Sequence, residues 1–507
     1  MENAGYSIAV DLGASGSKMA AARVHGGVAS LEDVYTFPNV PLNLGPGLYW
    51  DIFDLYRHIL KGLSWFGSKY GKPKSIGIDS WGATYGFLDA QGRLAEPVFH
   101  YRDKRTAGVP EKLYDRLSKR EIFALTGCQC ASSYTLVQLY ASVLQGDAIL
   151  SSAKHLVLLP DLLAYFLGGV LSTERTIAGT TAMLQPSQQD WSRELLSTLG
   201  IPAGFLLPLT STGMIKGHLS PSVADETGLG AVPIVSAIGH DSAAAVAAIP
   251  GFDEDGLYVS IGTNISMGMY RDTPALDDAF YEGGFKNTGG DGEKIIVYRD
   301  FPAAWMLNRL YDEWIKTDAS LTFNALDVFA SQMEQGEFFD IEDPLVQEAG
   351  GVMSRTIASL VEKTGRPAPR SREAFAASVI KSIALRVRYY ARRLIRLRGK
   401  DFGRIWLISG GTRYRNLVSA IAGALERPVY AGLPYATLLG NAVSQFYALE
   451  DLDRTLYREK NTGNSFFTEI RPPAHPDWSG YEDWAADNNI LPLNRSSNGG
   501  LHGHQDN

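Results

Sequence analysis

The sequence predicts an α/β protein built from two similar domains, and three observations carry that prediction. The first is length, since 507 residues exceed what one ordinary hydrophobic core accommodates. The second is the alternation of short apolar, strand-like runs with stretches of helical periodicity. The third is an internal echo. Asp11-Leu12-Gly13-Ala14-Ser15-Gly16-Ser17 returns in outline as Ser260-Ile261-Gly262-Thr263-Asn264-Ile265-Ser266, about 250 residues later. Each copy follows a strand-like run and leads into another extended one. Two hairpins of one design suggest two α/β domains facing each other, with chance similarity as the competing account. The expected division is residues 1–236, residues 237–470 and a tail at 471–507.

Residues 6–11 suit a buried strand, with Tyr6, Ile8 and Val10 on one side, Ala9 on the other, and Asp11 at its end. The Ala-rich stretch Lys18 to Val24 invites a helix, but Gly16 and Gly26-Gly27 leave it under three turns. A strand paired back on the first is expected instead, with His25-Gly26-Gly27 as the next turn. The segment "KPKSIGIDSWGATYGFLDAQGRL" holds two strand-like runs around Asp79-Ser80-Trp81-Gly82, then a polar hairpin at Asp89 to Arg93. From Pro110 to Phe166 the pattern is mostly helical, and "YTLVQLYASVL" has a 3.6 period. A second αβ stretch starts near Pro233. The clearest helix spans Arg372 to Arg398, where Phe375, Val379, Ile383, Val387, Tyr390, Leu394 and Leu397 recur every three or four residues. Gly399 ends it, and the strand "RIWLIS" and Gly410-Gly411 follow. The tail "NRSSNGGLHGHQDN" is polar and Gly-rich and is expected to fray.

Composition narrows the function classes. Apolar residues make up 45% and charged residues 20%, ordinary for a globular chain. A formal charge of −8 argues against nucleic acid or an anionic membrane as a partner. The basic positions Arg386, Arg388, Arg392, Arg393 and Arg396 stand opposite an apolar stripe and read as a solvated face. The two cysteines, Cys128 and Cys130, cannot staple a secreted scaffold of this size, so a cytoplasmic protein is expected. No Cys/His cluster completes a metal site around them, and they read as structural. The start of the chain carries no basic region before an apolar segment, so no export signal is expected. The most apolar stretch, "GAVPIVSAIGHDSAAAVAAIPG", is broken by Pro233, Gly239, His240 and Asp241, so no membrane span is expected either.

The Gly/Ser turn after Asp11 raises the question of phosphate. A Walker A loop fails because Gly13 and Gly16 are too close and Lys18 does not follow a glycine. A Rossmann turn fails on spacing and on the extended segment that follows. What remains is a hairpin turn whose N–H groups and Ser15 and Ser17 hydroxyls can face an anion. Asp11 alone would repel that anion, and it makes sense if Mg²⁺ sits between carboxylate and phosphate.

The segments "AVDLGASGSK", "GIDSWGATYGFLDAQGRL", "YRDKRT", "GHDSAAAVAA", "YVSIGTNISMG" and "ISGGTRYRN" together resemble the FGGY family of carbohydrate kinases. The "GIDSWG" and "YRDKRT" pair is nearest to its rhamnulokinase branch. The resemblance runs from residue 9 to 416. It implies two ribonuclease H-like domains of the actin/hexokinase/Hsp70 superfamily, with ATP and sugar in the cleft between them. The implied reaction is transfer of the γ-phosphoryl group to the primary hydroxyl of a ketose, L-rhamnulose first, giving L-rhamnulose 1-phosphate.

On that resemblance Ala14, Ser15, Gly16, Ser17 and Lys18 hold the ATP phosphates, and Asp11 orients Mg²⁺. Thr263 meets the phosphates from the second hairpin. Gly410 and Gly411 line the adenosine pocket, because glycines let a flat base approach the backbone. Asn308 matches a position near the nucleotide. Asp241 is the catalytic base, taking the hydroxyl proton as the P–O bond forms. The following helix N-terminus would favour its ionised form, and capping that helix is its other possible role. His240 and Ser242 flank it and would hydrogen-bond the sugar, His240 having a structural alternative. Gly82 and Asp300 match sugar-side positions. Trp81 fits either a sugar-stacking ring or a core tryptophan. Asp79 fits either a sugar or metal contact or a loop cap. Arg102, Asp103 and Arg105 are expected to form an ion-pair network shaping the pocket.

The chain departs from the family at several of these positions. The second hairpin, usually Ser-Gly-Thr-Trp-Ser, reads Ile261-Gly262-Thr263-Asn264-Ile265. The branch's Ala-Ser-Ser-Gly-Arg turn reads Ala14-Ser15-Gly16-Ser17-Lys18, and a common Gly-Gly-Gly is Ser409-Gly410-Gly411-Thr412. A sugar-side asparagine is replaced by Asp300, which bears on the identity of the sugar. Other ketoses (L-fuculose, ribulose, xylulose) are the nearest alternatives. An actin- or Hsp70-like ATPase is the different-class rival, against which "GHDS" and "GIDSWG" argue. A kinase-like sugar-sensing repressor would place a DNA-binding domain first, and here the first strand starts by residue 6. A small-molecule sugar and ATP are the expected partners of a monomer or homodimer.

Overall fold

The first hairpin forms as its residues dictate. β1 (Ser7–Leu12) and β2 (Ser17–His25) pair antiparallel with Asp11 opposite Lys18. β3 (Val28–Phe37) continues the meander through Gly26 and Gly27, both at positive φ as that turn requires. On its other edge β1 pairs parallel with β4 (Ile76–Ser80), which places Asp11 beside Asp79. With β5 (Ile215–His218) and β6 (Pro233–Val235) the sheet order is β5-β6-β4-β1-β2-β3.

The structure is a computed structural model and describes residues 5–14, 16–187, 190–322, 324–331, 337–347, 352–460 and 466–473. Ser15 and most of the expected tail lie outside the described residues. The chain divides into two units: residues 1–300, 393–413 and 429–469, and residues 301–392, 414–428 and 470–507.

The echo in the sequence is real structure. β7 (Gly256–Ile261) and β8 (Asn264–Arg271) form a second antiparallel hairpin, and β7 pairs parallel with the later strand Arg404–Ile408. Strands β9 (Lys286–Gly289) and β10 (Ile295–Pro302) extend this sheet beyond β8. Calling the later strands β11 (Arg404–Ile408), β12 (Val429–Gly432) and β13 (Phe467–Ile470), the order is β9-β10-β8-β7-β11-β12-β13. Both sheets thus place a hairpin beside parallel strands.

In the first unit, Ile8, Val10 and Leu12 pack with α1 (Ile52–Tyr70) and α2 (Leu159–Leu167). Ala9, Ala20 and Ala22 turn the other way, toward α3 (Asp241–Ala247) and the later helix Ala436–Ala448. Those two helices touch closely, because a side chain at Gly440 would collide with the Ala244 carbonyl. The region expected to be mostly helical, 110–166, also holds the strand His155–Leu158, paired with Tyr85–Leu88. A short apolar run carries no periodicity long enough to separate the two states.

The second unit contains most of α4 (Arg372–Arg398), whose bounds are those the periodicity predicts. Its basic positions correct the expected solvated face. Arg396 is exposed, but Arg386 is fully buried, pairing with Asp340 and, at 3.1 Å, with Glu342. Arg388 is buried too, 2.9 Å from Glu426. Counter-charges distant in sequence, which helix periodicity does not reveal, draw both guanidiniums inward. No described helix is long and apolar enough to cross a membrane.

Candidate active site

β1 and β4 are parallel neighbours in register, so Asp11 and Asp79 lie side by side at their C-terminal ends. Asp79 is completely buried, and Asp11 is nearly so with Lys18 at 3.7 Å. Burial pushes the Asp11 carboxyl up to about 6; Lys18 opposes the shift, and Asp241 adds to it. Burial, then the Asp11 charge, raises Asp79 well above the usual carboxylate range.

The helix after Tyr435, here α5 (Ala436–Ala448), clasps this strand pair from the opposite end of the sequence. Asn441 Nδ2 donates to Asp79 Oδ2 at 2.6 Å, and Gln445 Nε2 donates to the Ile8 carbonyl at 3.0 Å and to Asn441 Oδ1 at 2.7 Å. Gly77 lets them approach, since a Cβ there would stand 2.7 Å from both side-chain amides. Asp79 Oδ1 and Ser17 Oγ are buried with no hydrogen-bond partner among the described residues.

Asp241 opens α3 and lines a cavity of about 520 Å³. Its Oδ1 accepts from Ser242 N–H at 2.5 Å and from the Ser242 hydroxyl at 3.0 Å, while 30% of the side chain is exposed. The lowering expected from the helix N-terminus is overridden: burial outweighs the Ser242 donors and lifts the carboxyl to about 6. It is not the residue that caps α3, because that place belongs to His240. His240 Nε2 lies 3.4 Å from Asp241 Oδ1, and Nδ1 has no partner among the described residues. Burial lowers this imidazole to about 4, so it stands neutral beside the carboxyl.

Trp81, Gly82, His240, Ser242 and Asp300 all border the same cavity as Asp241. Trp81 is also a core residue, 5% exposed, with its ring 4.3 Å from Trp50 and its N–H on Thr84. Gly82 is required by packing, since a Cβ would meet the Thr180 side chain at 2.6 Å. Ala83 follows at φ 65°, a left-handed conformation unusual for alanine. Hydrogen bonds hold it there: its N–H donates to Thr180, and its carbonyl accepts from Thr135 and Gln138.

The expected ion-pair network in "YRDKRT" is absent among the described residues. Asp103 accepts instead from the Leu48 and Arg105 N–H groups. Arg105 lies over the Phe99 ring at 3.7 Å and donates to Gln138. Local loop capping and an aromatic face satisfy these groups before any ion pair does.

On the hairpin side, Ala14, Gly16, Ser17 and Lys18 occupy the β1–β2 turn and the start of β2, closed by a 3.2 Å bond from Gly16 N–H to the Gly13 carbonyl. Thr263 is exposed at the β7–β8 turn, and its neighbours Ser260, Gly262 and Asn264 border the cavity. Ser409, at φ 74°, ends β11 with its hydroxyl 2.8 Å from that of Ser260. Gly410 stands in open space, where a Cβ would meet nothing, whereas Gly411 is needed because Ile261 occupies the place of a Cβ. Asn308 belongs to the second unit, exposed on the helix Trp305–Trp314. Cys128 is buried with Sγ 3.8 Å from the Asn287 carbonyl, and burial pushes its thiol up to about 11.

Sequence reasoning missed Asn441, Gln445, Lys286, Tyr134 and Tyr298. Isolated polar or aromatic residues inside helices and strands carry no local signal; only a search for polar residues on otherwise apolar faces could have raised Asn441 and Gln445.

No group of three or more His, Cys, Asp or Glu among the described residues could chelate a metal. Mg²⁺ does not need one, because it favours one or two carboxylates completed by phosphate oxygens and water. Asp11, the unpartnered oxygen of Asp79 and the hydroxyl of Ser17 fit a Mg²⁺–triphosphate ligand. A separate pocket at Thr126, Gly179 and Asn287 holds about 40 Å³ and is too small for either substrate.

Comparison with known proteins shows the family. Residues 6–248 match the N-terminal domain, and residues 257–449 the C-terminal domain, of the FGGY family of carbohydrate kinases. The chain is 33% identical over 438 residues to a rhamnulokinase of Bacteroides thetaiotaomicron, covering 86% of this chain and 89% of that protein. It is 31% identical to a rhamnulokinase of an Enterobacter species, covering 92% and 94%. Among solved structures it is similar to ligand-bound xylulose kinase from Lactobacillus acidophilus, with TM-score 0.76, 14% identity and 95% of each chain covered. It is also similar to Plasmodium falciparum glycerol kinase with ADP, with TM-score 0.73, 14% identity, and 92% and 94% covered.

Proposed function

Because the chain belongs to the FGGY family of carbohydrate kinases and is a sugar kinase, we propose that it phosphorylates the primary hydroxyl of a ketose, L-rhamnulose first, to give L-rhamnulose 1-phosphate from ATP. The observation that carries this reading is Asp241. Its carboxyl opens onto the cavity bordered by the sugar-side residues Gly82, His240 and Asp300, and by Ser260, Gly262 and Asn264 of the second hairpin.

In this reading Asp241 accepts the proton of the attacking hydroxyl as the new P–O bond forms. A carboxyl near 6 is ionised at neutral pH yet more basic than an ordinary aspartate. Ser242 fixes its Oδ1, and neutral His240 offers a ring nitrogen to the sugar. When bound, Mg²⁺ neutralises charge on the transferring phosphoryl group. Asp11 and Asp79 would hold it, with the turn from Ala14 to Lys18, Thr263 and the Gly410-Gly411 segment holding the nucleotide. The two halves 1–236 and 237–470 then act as sugar-side and nucleotide-side domains, in a cytoplasmic monomer or homodimer.

A coupled ADP-release assay over ketoses, aldoses and polyols tests the reading. The highest kcat/KM is expected with L-rhamnulose. A higher value with L-fuculose, ribulose or xylulose would move the assignment within the family, a shift that Asp300 in place of asparagine makes specific. ADP release that needs no sugar would favour an ATPase instead.

A further inference from the structure

Lys286 projects from β9 into the cavity that holds Asp241, and neither the family resemblance nor the sequence singled it out. Its ammonium lies 2.7 Å from Asp300 Oδ2 on the neighbouring strand β10. It also stands 5.1 Å from the ring centre of Tyr298, its cross-strand partner, and 5.9 Å from that of Tyr134. An ion pair and two aromatic faces therefore hold one cation in the cavity wall.

We propose that Lys286, with Asp300, is a specificity-determining residue that reads two adjacent hydroxyls of an uncharged sugar. This rests on the sugar-kinase reading of the cavity and deepens it.

Three observations support the assignment. First, an ammonium has three N–H donors, and Asp300 is the only hydrogen-bond partner of the Lys286 ammonium among the described residues. Second, Asp300 Oδ1 accepts no hydrogen bond from a described residue, and its side chain is 37% exposed. A donor and an acceptor thus stand side by side in the wall of the cavity that Asp241 also lines, the arrangement that neighbouring sugar hydroxyls complement. One sugar oxygen accepts from the ammonium while the next O–H donates to the carboxylate.

Third, the pair is electroneutral. A carboxylated sugar would find the Lys286 charge already offset by Asp300, in a cavity where Asp241 adds negative charge. Asp300 alone would also make Asp241 harder to ionise, since its carboxylate already contributes to the raised value there. Burial opposes the charge on Lys286, yet its ammonium is held above the ordinary lysine range, with the Asp300 carboxylate the chief favourable influence.

The test is steady-state kinetics of the full chain with L-rhamnulose, L-fuculose, D-xylulose, D-ribulose and the carboxylated ketose 5-keto-D-gluconate. Binding of each sugar is measured in parallel by calorimetry. For Lys286→Met we expect kcat/KM for the preferred ketose to fall about tenfold or more, mostly through KM, as for a lost charged hydrogen bond. The KM for ATP should stay unchanged, and the preference among neutral ketoses should shrink. Asp300→Asn leaves the ammonium without its counter-charge and should raise kcat/KM for 5-keto-D-gluconate about tenfold. If Lys286→Met fails to fold, Lys286→Arg keeps the charge but moves the donors, and should alter the order of preference. Unchanged sugar binding and preference in folded Lys286 and Asp300 variants would overturn this inference. Wild-type chain that turns over no sugar would overturn the kinase reading, and wild-type chain that binds none would overturn both.

Discussion

Asn441 and Asp79 stand 362 positions apart in the chain and are joined by a 2.6 Å hydrogen bond in the interior. The bond ties a carboxyl beside Asp11 to a helix formed near the end of the fold. A buried carboxyl that loses its donor bears the full cost of desolvation. Asn441→Ala should therefore lower stability by about 2–3 kcal/mol, read as a shift in the urea midpoint. Asn441→Asp should be worse, because it puts a second acidic group against Asp79.

The ion pairs of Arg386 make a contrast with Arg396 on the same helix. Arg386→Met should cost about 3–5 kcal/mol, because it leaves Asp340 and Glu342 without their buried partner. Arg396→Ala, at an exposed position, should change stability by no more than about 0.5 kcal/mol. Equal effects on the denaturation midpoint would contradict the burial assigned to Arg386.

Asp241 should impose an acid limb on kcat/KM. Its carboxyl lies near 6, so activity should fall about tenfold per pH unit below that value as the base is protonated. The same shift has a sign for stability. A carboxyl raised from 3.8 to about 6 stabilises the fold most below its ordinary range, and that contribution is lost as pH rises through 6. Asp241→Asn should therefore raise the melting temperature relative to wild type at pH 8 and have little effect at pH 4.

Asp11→Asn should raise the Mg²⁺ concentration that gives half-maximal turnover by about tenfold or more, since hard cations favour carboxylate oxygen. Chelation should abolish turnover, and Mg²⁺ should restore it. ATP binding without metal, followed by calorimetry, should tighten in the variant, because the carboxylate that repels the triphosphate is gone.

The elements that were legible in the sequence are those whose signal is local. Asp11 and its glycine turn, the echo at Ser260, and the 3.6 period from Arg372 to Arg398 each identify their element without help from the rest of the chain. The strand His155–Leu158 was not legible, because four residues show no period. Arg386 was misread because its partners lie in the segment Asp340–Glu342, more than 40 positions away. Lys286 and Asn441 were missed for the same reason: their chemistry exists only once distant strands and helices meet. The residues around Asp241 were placed by family likeness, and the fold brings His240, Ser242, Gly82 and Asp300 to one cavity with it.

The most direct test of the central claim is single-turnover sugar-phosphate formation by Asp241→Asn, with ATP and sugar affinities measured alongside. A base at this position predicts a loss of about 10²-fold or more in the chemical step, with both affinities within a few-fold of wild type. A near-normal rate in a folded variant would show that another group takes the hydroxyl proton.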